Sequence, residues 1–314
     1  MRLAVLTGPE RFEIVEAPVP RIARDEALLR VRACGVCTSE QAPWRGTVPM
    51  DYPAYPGHEV SGVVEALGAD VTGLAVGDPV GAWVTSHGYA DLVAVKAAYC
   101  RATGDVPLDE ALAEPLACAV NAVEEADVRL GDDVVLIGAG FMGNLVQSLV
   151  ALRGVRHLVV ADTRPDALAV AAALGATRVV DVRDESLAEA VVGLTGGAGA
   201  DITFECAGGQ AALDLVGEVT RMSGKIVLVG YHQGEPRRIP LARWNWMAYA
   251  IVNAHYRDVP TIMRGMTVGL RLLTSGRLSL ATLVTHRFPL EEVNEAFRAA
   301  RDKPPGFVKA VVTP

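Results

Sequence analysis

The chain has 314 residues, which is enough for two domains of ordinary size that each bury a core of their own. Hydrophobic residues make up 51% of the sequence and charged residues 21%, as in a soluble globular protein. A net charge of −8 without a basic segment argues against a nucleic-acid partner. Five irregularly spaced cysteines argue against a disulfide framework, so we expect a protein of the reducing cytoplasm.

The N-terminal third is predicted to consist mostly of β-strands, followed by one helix. Apolar or alternating stretches are separated there by turns rich in Gly, Pro and Asp. The predicted strands are Leu3–Leu6, Phe12–Glu16, Ala27–Ala33, Val60–Leu67, Pro79–Val84 and Tyr89–Val95. A helical spacing of apolar residues then predicts a helix from Leu108 to Ala126.

From Asp133 onward, short apolar strands alternate with helices. The predicted strands are Val134–Ile137, Leu158–Ala161, Arg178–Val180, Ile202–Glu205 and Ile226–Val229, with helices at 142–153, 165–174, 186–194 and 210–221 between them. This alternation predicts a parallel, doubly wound sheet. The uncharged stretch from Val134 to Leu152 is as long as a membrane helix, but its glycines and polar side chains favour a strand, a turn and a helix, so we expect no membrane span.

The alternation of strands and helices continues into the C-terminal third, which ends in a separate strand–helix–strand tail. A strand at Ala250–Ala254 and a helix at Val259–Thr274 are predicted first. The tail is predicted to form a strand at Val284–Pro289, a helix at Leu290–Arg301 and a strand at Phe307–Val312. We expect this tail to fold back onto the N-terminal β domain.

A glycine-rich loop opens the alternating region. Residues 138–143 read G-x-G-x-x-G between a predicted strand and a predicted helix, which is the dinucleotide fingerprint in its required context. Asp162 ends the next strand, where its carboxylate can accept hydrogen bonds from the ribose hydroxyls and would repel a 2′-phosphate. The sequence therefore favours NAD over NADP, although Arg164 could instead reach a phosphate. The predicted cofactor contacts are Gly138, Gly140, Phe141, Met142, Gly143, Asp162, Arg164 and Val229. The alternative is a glycine turn that binds no nucleotide.

A second set of residues could hold a metal ion. Cys34 and Cys37 form a Cys-x-x-Cys stretch, which alone could be a redox dithiol, half of a zinc knuckle or two buried cysteines. Together, Cys37, His58 and a carboxylate from Glu59 or Glu114 suit zinc, and three protein ligands leave one position open. Taken singly, each of these residues also fits a purely structural role.

These motifs resemble the medium-chain dehydrogenase/reductase superfamily, in its zinc-dependent alcohol and polyol dehydrogenase branch. The matching segments, in order along essentially the whole chain, are Ala33–Glu40, Gly57–Gly62, Val76–Val80, Glu114–Leu116, the glycine loop with Asp162, and Phe288–Leu290. The resemblance implies an α/β fold with a GroES-like β domain, at about 1–125 and 265–314, and a Rossmann domain at about 126–264. It also implies an active site in the cleft between the two domains.

The resemblance assigns roles to single residues. Cys37 and His58 correspond to catalytic zinc ligands, and the third ligand is Glu59 or Glu114. Ser39 matches the hydroxyl group that takes the proton of the alcohol. The zinc ion would polarise the substrate hydroxyl, and a hydride would then pass from the carbinol carbon to the nicotinamide.

The chain also departs from the family pattern. Glu40 stands where the family usually has an aspartate that orients the ligand histidine. Ala42 replaces the histidine that often passes the proton to solvent. The segment between Val80 and Gly88 lacks the four closely spaced cysteines of a structural zinc site, so we expect one catalytic zinc and no structural zinc. Trp44 and Trp83 are expected in the first domain, as core or as pocket wall.

Three functions are compatible with these residues. The first is an NAD- and zinc-dependent dehydrogenase acting on a secondary alcohol or ketone, with a polyol, sugar or cyclitol preferred because the metal site is rich in carboxylates. The second is an NADPH-dependent reductase of a carbonyl or an activated double bond, and the third is a non-catalytic nucleotide-binding protein. We expect a homodimer or homotetramer. His232 and His255 lie either near the nicotinamide or in solvated loops.

Overall fold

The computed structural model describes residues 1–314 and divides into two compact units. The first unit comprises Met1–Ala117 and Ile262–Pro314, and the second comprises Cys118–Thr261. These divisions lie eight and three residues before the domain boundaries expected from the sequence, at 125/126 and 264/265.

The chain forms fifteen strands and nine α-helices. From the N-terminus these are β1 (Arg2–Gly8), β2 (Arg11–Glu16), β3 (Glu26–Gly35), α1 (Gln41–Trp44), β4 (Glu59–Leu67), β5 (Pro79–Trp83), β6 (Leu92–Lys96), β7 (Cys100–Ala102) and α2 (Ala113–Ala126). The middle of the chain forms β8 (Asp133–Ile137), α3 (Phe141–Ala151), β9 (His157–Asp162), α4 (Pro165–Ala173), β10 (Arg178–Asp181), α5 (Leu187–Leu194), β11 (Ala200–Glu205), α6 (Gln210–Val219), β12 (Thr220–Leu228), α7 (Leu241–Trp246) and β13 (Ala250–Asn253). The C-terminal part forms α8 (Val259–Thr274), β14 (Val284–Pro289), α9 (Val293–Asp302) and β15 (Lys309–Thr313).

The first unit is organised around a seven-stranded sheet. Its strand order is β14-β15-β3-β4-β5-β7, and β6 pairs with β3 beside this path. The C-terminal strand β15 pairs antiparallel with β3, with Val312 opposite Cys34. Phe297 of α9 packs against the rings of Phe12, Trp44 and Tyr89 in the core of this unit. The C-terminal segment therefore completes the hydrophobic core that the N-terminal strands begin.

The second unit contains a six-stranded parallel sheet in the order β10-β9-β8-β11-β12-β13. This confirms the doubly wound α/β architecture that the alternating pattern predicts. The uncharged stretch at 134–152 forms β8, a glycine turn and α3, and β8 and most of α3 are buried inside this unit. None of the helices combines the length and the apolar character that a membrane crossing requires.

The main difference in secondary structure concerns the helix predicted from Leu108. The helix α2 begins only at Ala113. The preceding residues form two turns, in which Glu110 N donates to Pro107 O and Ala111 N donates to Leu108 O. Pro115 lies in the first turn of α2, whereas a helix that began at Leu108 would place it in the interior, where its ring would clash with the carbonyl of Ala111. Three short elements, α1, β7 and α7, were not predicted because their apolar runs are too brief to show a period.

Candidate metal centre and dinucleotide site

Three side chains with metal-binding atoms meet where β3 ends and β4 begins. Cys37 immediately precedes a 3₁₀ turn at Thr38–Glu40, His58 precedes β4, and Glu59 is the first residue of that strand. One ligand atom from each of the three lies within 4.8 Å of the other two. A thiolate, an imidazole and a carboxylate are donors that Zn²⁺ accepts, so the residues present fit that ion. Glu114, the fourth candidate ligand, lies outside this group.

Two glycines make room for this group. Gly57 has a backbone φ of +102°, and a Cβ there would come 2.7 Å from the backbone nitrogen of Tyr89. Gly35 lies opposite Glu59 in the β3–β4 register, and a Cβ there would overlap the Glu59 carboxylate. A side chain at position 35 would therefore collide with a candidate ligand, and one at position 57 would collide with the backbone of Gly88 and Tyr89.

Glu40 holds the imidazole of His58 in place. Its Oε1 accepts hydrogen bonds from His58 Nδ1 at 2.9 Å and from the Gly57 amide at 2.7 Å. Its Oε2 accepts a hydrogen bond of 2.6 Å from the hydroxyl of Tyr89, which sequence reasoning did not identify. Burial alone would raise the pKa of Glu40, but the charge and hydrogen bonds of His58 and Tyr89 lower it below its ordinary value. Because Nδ1 is occupied, Nε2 is the imidazole atom left for a metal.

The glycine loop lies at the carboxyl end of β8 in the second unit. Gly138 has a φ of +104°, and a Cβ on Gly143 would overlap the Gly138 carbonyl, so the turn packs directly against the first turn of α3. A Cβ on Gly140, in contrast, would meet no atom within 4 Å. No side chain caps the N-terminus of α3, which begins at Phe141. This open cradle at a helix N-terminus fits a pyrophosphate group.

Asp162 is hydrogen-bonded to the same glycine loop. Its Oδ2 accepts a hydrogen bond of 2.7 Å from the Ala139 amide, and its Oδ1 accepts from the amides of Thr163 and Arg164 at 2.8 and 2.9 Å. The Arg164 Nε lies 3.6 Å from Asp162 Oδ1. Val229 comes directly after β12, at the same carboxyl edge of the sheet. The predicted cofactor residues therefore lie on one edge of the second unit.

Comparison with known proteins identifies the family. Residues 142–265 match the zinc-binding dehydrogenase model, and residues 23–107 match the alcohol dehydrogenase GroES-like domain. The chain is 31% identical to an L-threonine 3-dehydrogenase from Ruegeria pomeroyi, over 93% of this chain and 94% of that protein. The chain belongs to the zinc-type medium-chain dehydrogenase superfamily.

Further comparisons agree with this membership. The dehydrogenase is 30% identical to the sorbitol dehydrogenase of Homo sapiens, over 93% of this chain and 90% of that protein. Its fold matches the solved alcohol dehydrogenase TADH from Thermus sp. ATN1 with a TM-score of 0.88 and 25% identity, covering 100% of this chain and 99% of the other. The protein is therefore an oxidoreductase of the NAD(P)-dependent alcohol dehydrogenase type, and its family uses zinc and a nicotinamide cofactor.

In this dehydrogenase, a hydroxyl lies beside the candidate metal ligands. Ser39 Oγ donates a hydrogen bond of 3.1 Å to Cys37 Sγ. Burial alone would lower the pKa of His58, but the Glu40 carboxylate and the Cys37 sulfur raise it well above its ordinary value. A metal ion that binds here competes with a proton for the imidazole nitrogen.

A buried ion pair supports the third candidate ligand. Lys309 Nζ donates hydrogen bonds of 2.9 Å to Glu59 Oε1 and to the Val36 carbonyl, and it lies 2.6 Å from Glu59 Oε2. Lys309 is 5% exposed and Glu59 is 1% exposed. Burial alone would lower the pKa of Lys309, but the carboxylate of Glu59, with further contributions from Cys37 and Glu114, raises it. Sequence reasoning missed this lysine.

The other candidates in the first unit have structural surroundings. Cys34 is fully buried, and burial, followed by the charge of Glu40, raises the pKa of its thiol well above the ordinary value. Trp44 is also fully buried in the core. Trp83 lines a cavity of about 560 Å³ together with His87, and none of the four predicted metal ligands borders that cavity.

Proposed function

We propose that this dehydrogenase uses zinc and NAD to transfer a hydride between the cofactor and a secondary alcohol or ketone, with a polyol, sugar or cyclitol as substrate class. The observation that carries the proposal is the group of Cys37, His58 and Glu59, whose ligand atoms lie within 4.8 Å of one another. Three protein ligands leave a coordination position for the substrate. One relative is named for sorbitol, a polyol, which supports the substrate class.

Several residues of the chain would have different roles at a bound metal ion. A bound Zn²⁺ would supply Lewis-acid polarisation of an oxygen ligand. Cys37 as a thiolate and His58 as a neutral imidazole would hold the ion, with Glu59 as the third ligand and Glu114 as the alternative. Glu40 keeps the imidazole oriented through its hydrogen bond from Nδ1. We propose one zinc ion per chain and no structural zinc.

Proton transfer is assigned to Ser39. Its hydroxyl lies 3.1 Å from Cys37 Sγ, so it is close to the position that a substrate oxygen would occupy beside the ligands. This half-buried hydroxyl would accept the proton of the substrate alcohol and release its own proton to water, while the hydride passes from the carbinol carbon to the nicotinamide. Ala42 is buried and has no titratable group, so it cannot carry the proton onward.

The preference for NAD rests on Asp162. Its carboxylate is held at the end of β9 by three backbone amides, where it would face the ribose nearest the adenine of a bound cofactor. A negative charge there favours two ribose hydroxyls and repels a 2′-phosphate. Tight NADPH binding with negligible NADH binding would instead favour a reductase of a carbonyl or an activated double bond.

The decisive test joins metal analysis to turnover. The wild-type protein, Cys37→Ala and Cys34→Ala are each assayed for zinc content and for NAD reduction with polyols, amino alcohols and simple alcohols. Cys37→Ala should lose both zinc and turnover, because it removes the thiolate ligand. Cys34→Ala should keep both, since it only trims a buried side chain. Full activity in a metal-free preparation would refute the proposal.

A further inference from the structure

The carboxyl end of β11 buries an acidic side chain that the proposed metal and dinucleotide contacts do not use. Glu205 is 0% exposed. Its Oε1 accepts hydrogen bonds from the amides of Ala207 at 2.9 Å and Gly208 at 2.7 Å. Its Oε2 accepts a hydrogen bond of 2.8 Å from Nε2 of His232. This carboxylate therefore connects the turn after β11 to the segment that follows β12.

An arginine completes the network from the other side of the imidazole. Arg237 Nε donates a hydrogen bond of 3.3 Å to His232 Nδ1. The Nη2 of the same guanidinium donates to the carbonyls of Gly208 at 3.3 Å and Gln233 at 3.1 Å. With Nδ1 accepting from a guanidinium and Nε2 facing a carboxylate, the imidazole carries its hydrogen on Nε2.

These contacts exclude a solvated loop position for His232. Its side chain is 18% exposed, and both ring nitrogens have partners. A fully buried carboxylate is costly unless it is paired and hydrogen-bonded. The imidazole and the guanidinium therefore hold residues 231–238 against the end of β11.

The network lies on the edge of the sheet where the second half of a dinucleotide is expected. The pyrophosphate cradle follows β8, and Asp162 at the end of β9 marks one side of it. In the strand order, β11 and β12 lie on the opposite side of β8. A dinucleotide that crosses the cradle must extend over their carboxyl ends. The turn that Glu205 organises adjoins the cradle, since a Cβ on Gly138 would come 2.9 Å from the nitrogen of Ala207.

We propose that Glu205, His232 and Arg237 are positioning residues for the nicotinamide nucleoside half of the cofactor. They act by fixing residues 231–238 as a wall beside the carboxyl ends of β11 and β12. The inference rests on the proposed NAD-dependent function. It assigns to His232 an effect on one half of the cofactor, which a residue that merely stabilises the fold would not have.

The test separates the two halves of the cofactor. NADH is titrated by fluorescence, and ADP, which lacks the nicotinamide nucleoside, is titrated by calorimetry. His232→Leu removes both hydrogen bonds that fix residues 231–238 and should raise the Kd of NADH about tenfold, while the Kd of ADP stays unchanged. His232→Gln keeps a donor for Glu205 and an acceptor for Arg237, so it should restore NADH affinity.

A matched control is available at the opposite edge of the same sheet. His157 Nδ1 forms a 2.9 Å hydrogen bond with Asp133 Oδ1 at the amino ends of β8 and β9. His157→Leu should leave the Kd values of both NADH and ADP unchanged.

The outcomes distinguish the inference from the proposed function. Equal weakening of NADH and ADP by His232→Leu, or no weakening of either, would overturn the inference while wild-type NADH binding preserved the proposed function. Wild-type protein that binds neither NADH nor ADP would overturn both.

Discussion

Glu40 shows how one additional methylene group can be accommodated beside a metal ligand. The longer side chain still reaches His58 Nδ1 at 2.9 Å, because its second oxygen is fixed by the Tyr89 hydroxyl at 2.6 Å. Burial, followed by the charge of Glu40, raises the pKa of Tyr89 well above its ordinary value, so the phenol remains a hydrogen-bond donor. The orientation of the imidazole thus depends on a residue far from the metal motif in sequence.

Lys309 leads to a prediction about stability in the absence of metal. Replacing Lys309 by Met leaves the Glu59 carboxylate buried without its counter-ion. Breaking such a pair from one side costs about 3–5 kcal/mol. Urea unfolding of the metal-free protein should therefore show a loss of this size for Lys309→Met. The double variant Lys309→Met, Glu59→Gln should recover most of it, and equal stability of Lys309→Met and wild type would contradict the role of the ion pair.

The sequence identified the candidate metal ligands but not the residues that support them. Cys37 and His58 were proposed from two separate motifs, with Glu59 or Glu114 left open as the third ligand. The contact between Lys309 and Glu59 spans 250 residues, so no local pattern contains it. The sequence did contain an indication of this contact. Lys309 lies inside the apolar run Phe307–Val312, and a lysine is rarely buried without an acidic partner.

At the scale of single elements, the end of β3 is shaped by the site it carries. Gly35→Ala should weaken zinc binding without changing any candidate ligand. The new Cβ would overlap the Glu59 carboxylate and lie 3.0 Å from Lys309 Cε. Displacing the surroundings of a metal ligand typically lowers affinity by about 10–100-fold, and competition with a chelator measures this change.

The control for this substitution is Gly8→Ala in β1 of the same unit. The nearest atom to a Cβ there is a guanidinium nitrogen of Arg11 at 4.0 Å. Zinc affinity should stay at the wild-type level in this variant. If both variants lost zinc equally, general destabilisation of the unit would explain the loss and the steric argument would be wrong.

Helices and strands could be predicted where a long continuous stretch of the sequence shows the apolar pattern. The alternating strands and helices of the second unit identified its parallel sheet, because both faces of such strands are buried and the runs are continuously apolar. The start of α2 was predicted too early because the apolar period extends N-terminally past Pro115, which is tolerated only in the first turn of a helix. This boundary is set by the proline and does not appear in the apolar period.

At the scale of the whole molecule, the proposed site for zinc and the proposed site for NAD lie in different units. Cys37, His58, Glu59 and the supporting Lys309 all lie in the first unit, whereas the glycine loop and Asp162 lie in the second. Each unit has its own sheet and buries its own apolar residues. A ligand stabilises the part of a protein that binds it, by about 2.7 kcal/mol at a hundred times its Kd.

Hydrogen exchange should therefore respond separately to metal and nucleotide. Removing zinc with a chelator should increase exchange in β3, β4 and β15, because these strands hold the candidate ligands and Lys309. Adding ADP to the metal-free protein should protect β8, β9 and the first turn of α3, and should leave β3 and β4 unchanged. Uniform deprotection of β8–β12 on zinc removal would contradict this assignment, because the metal would then be supporting the unit that carries none of its ligands.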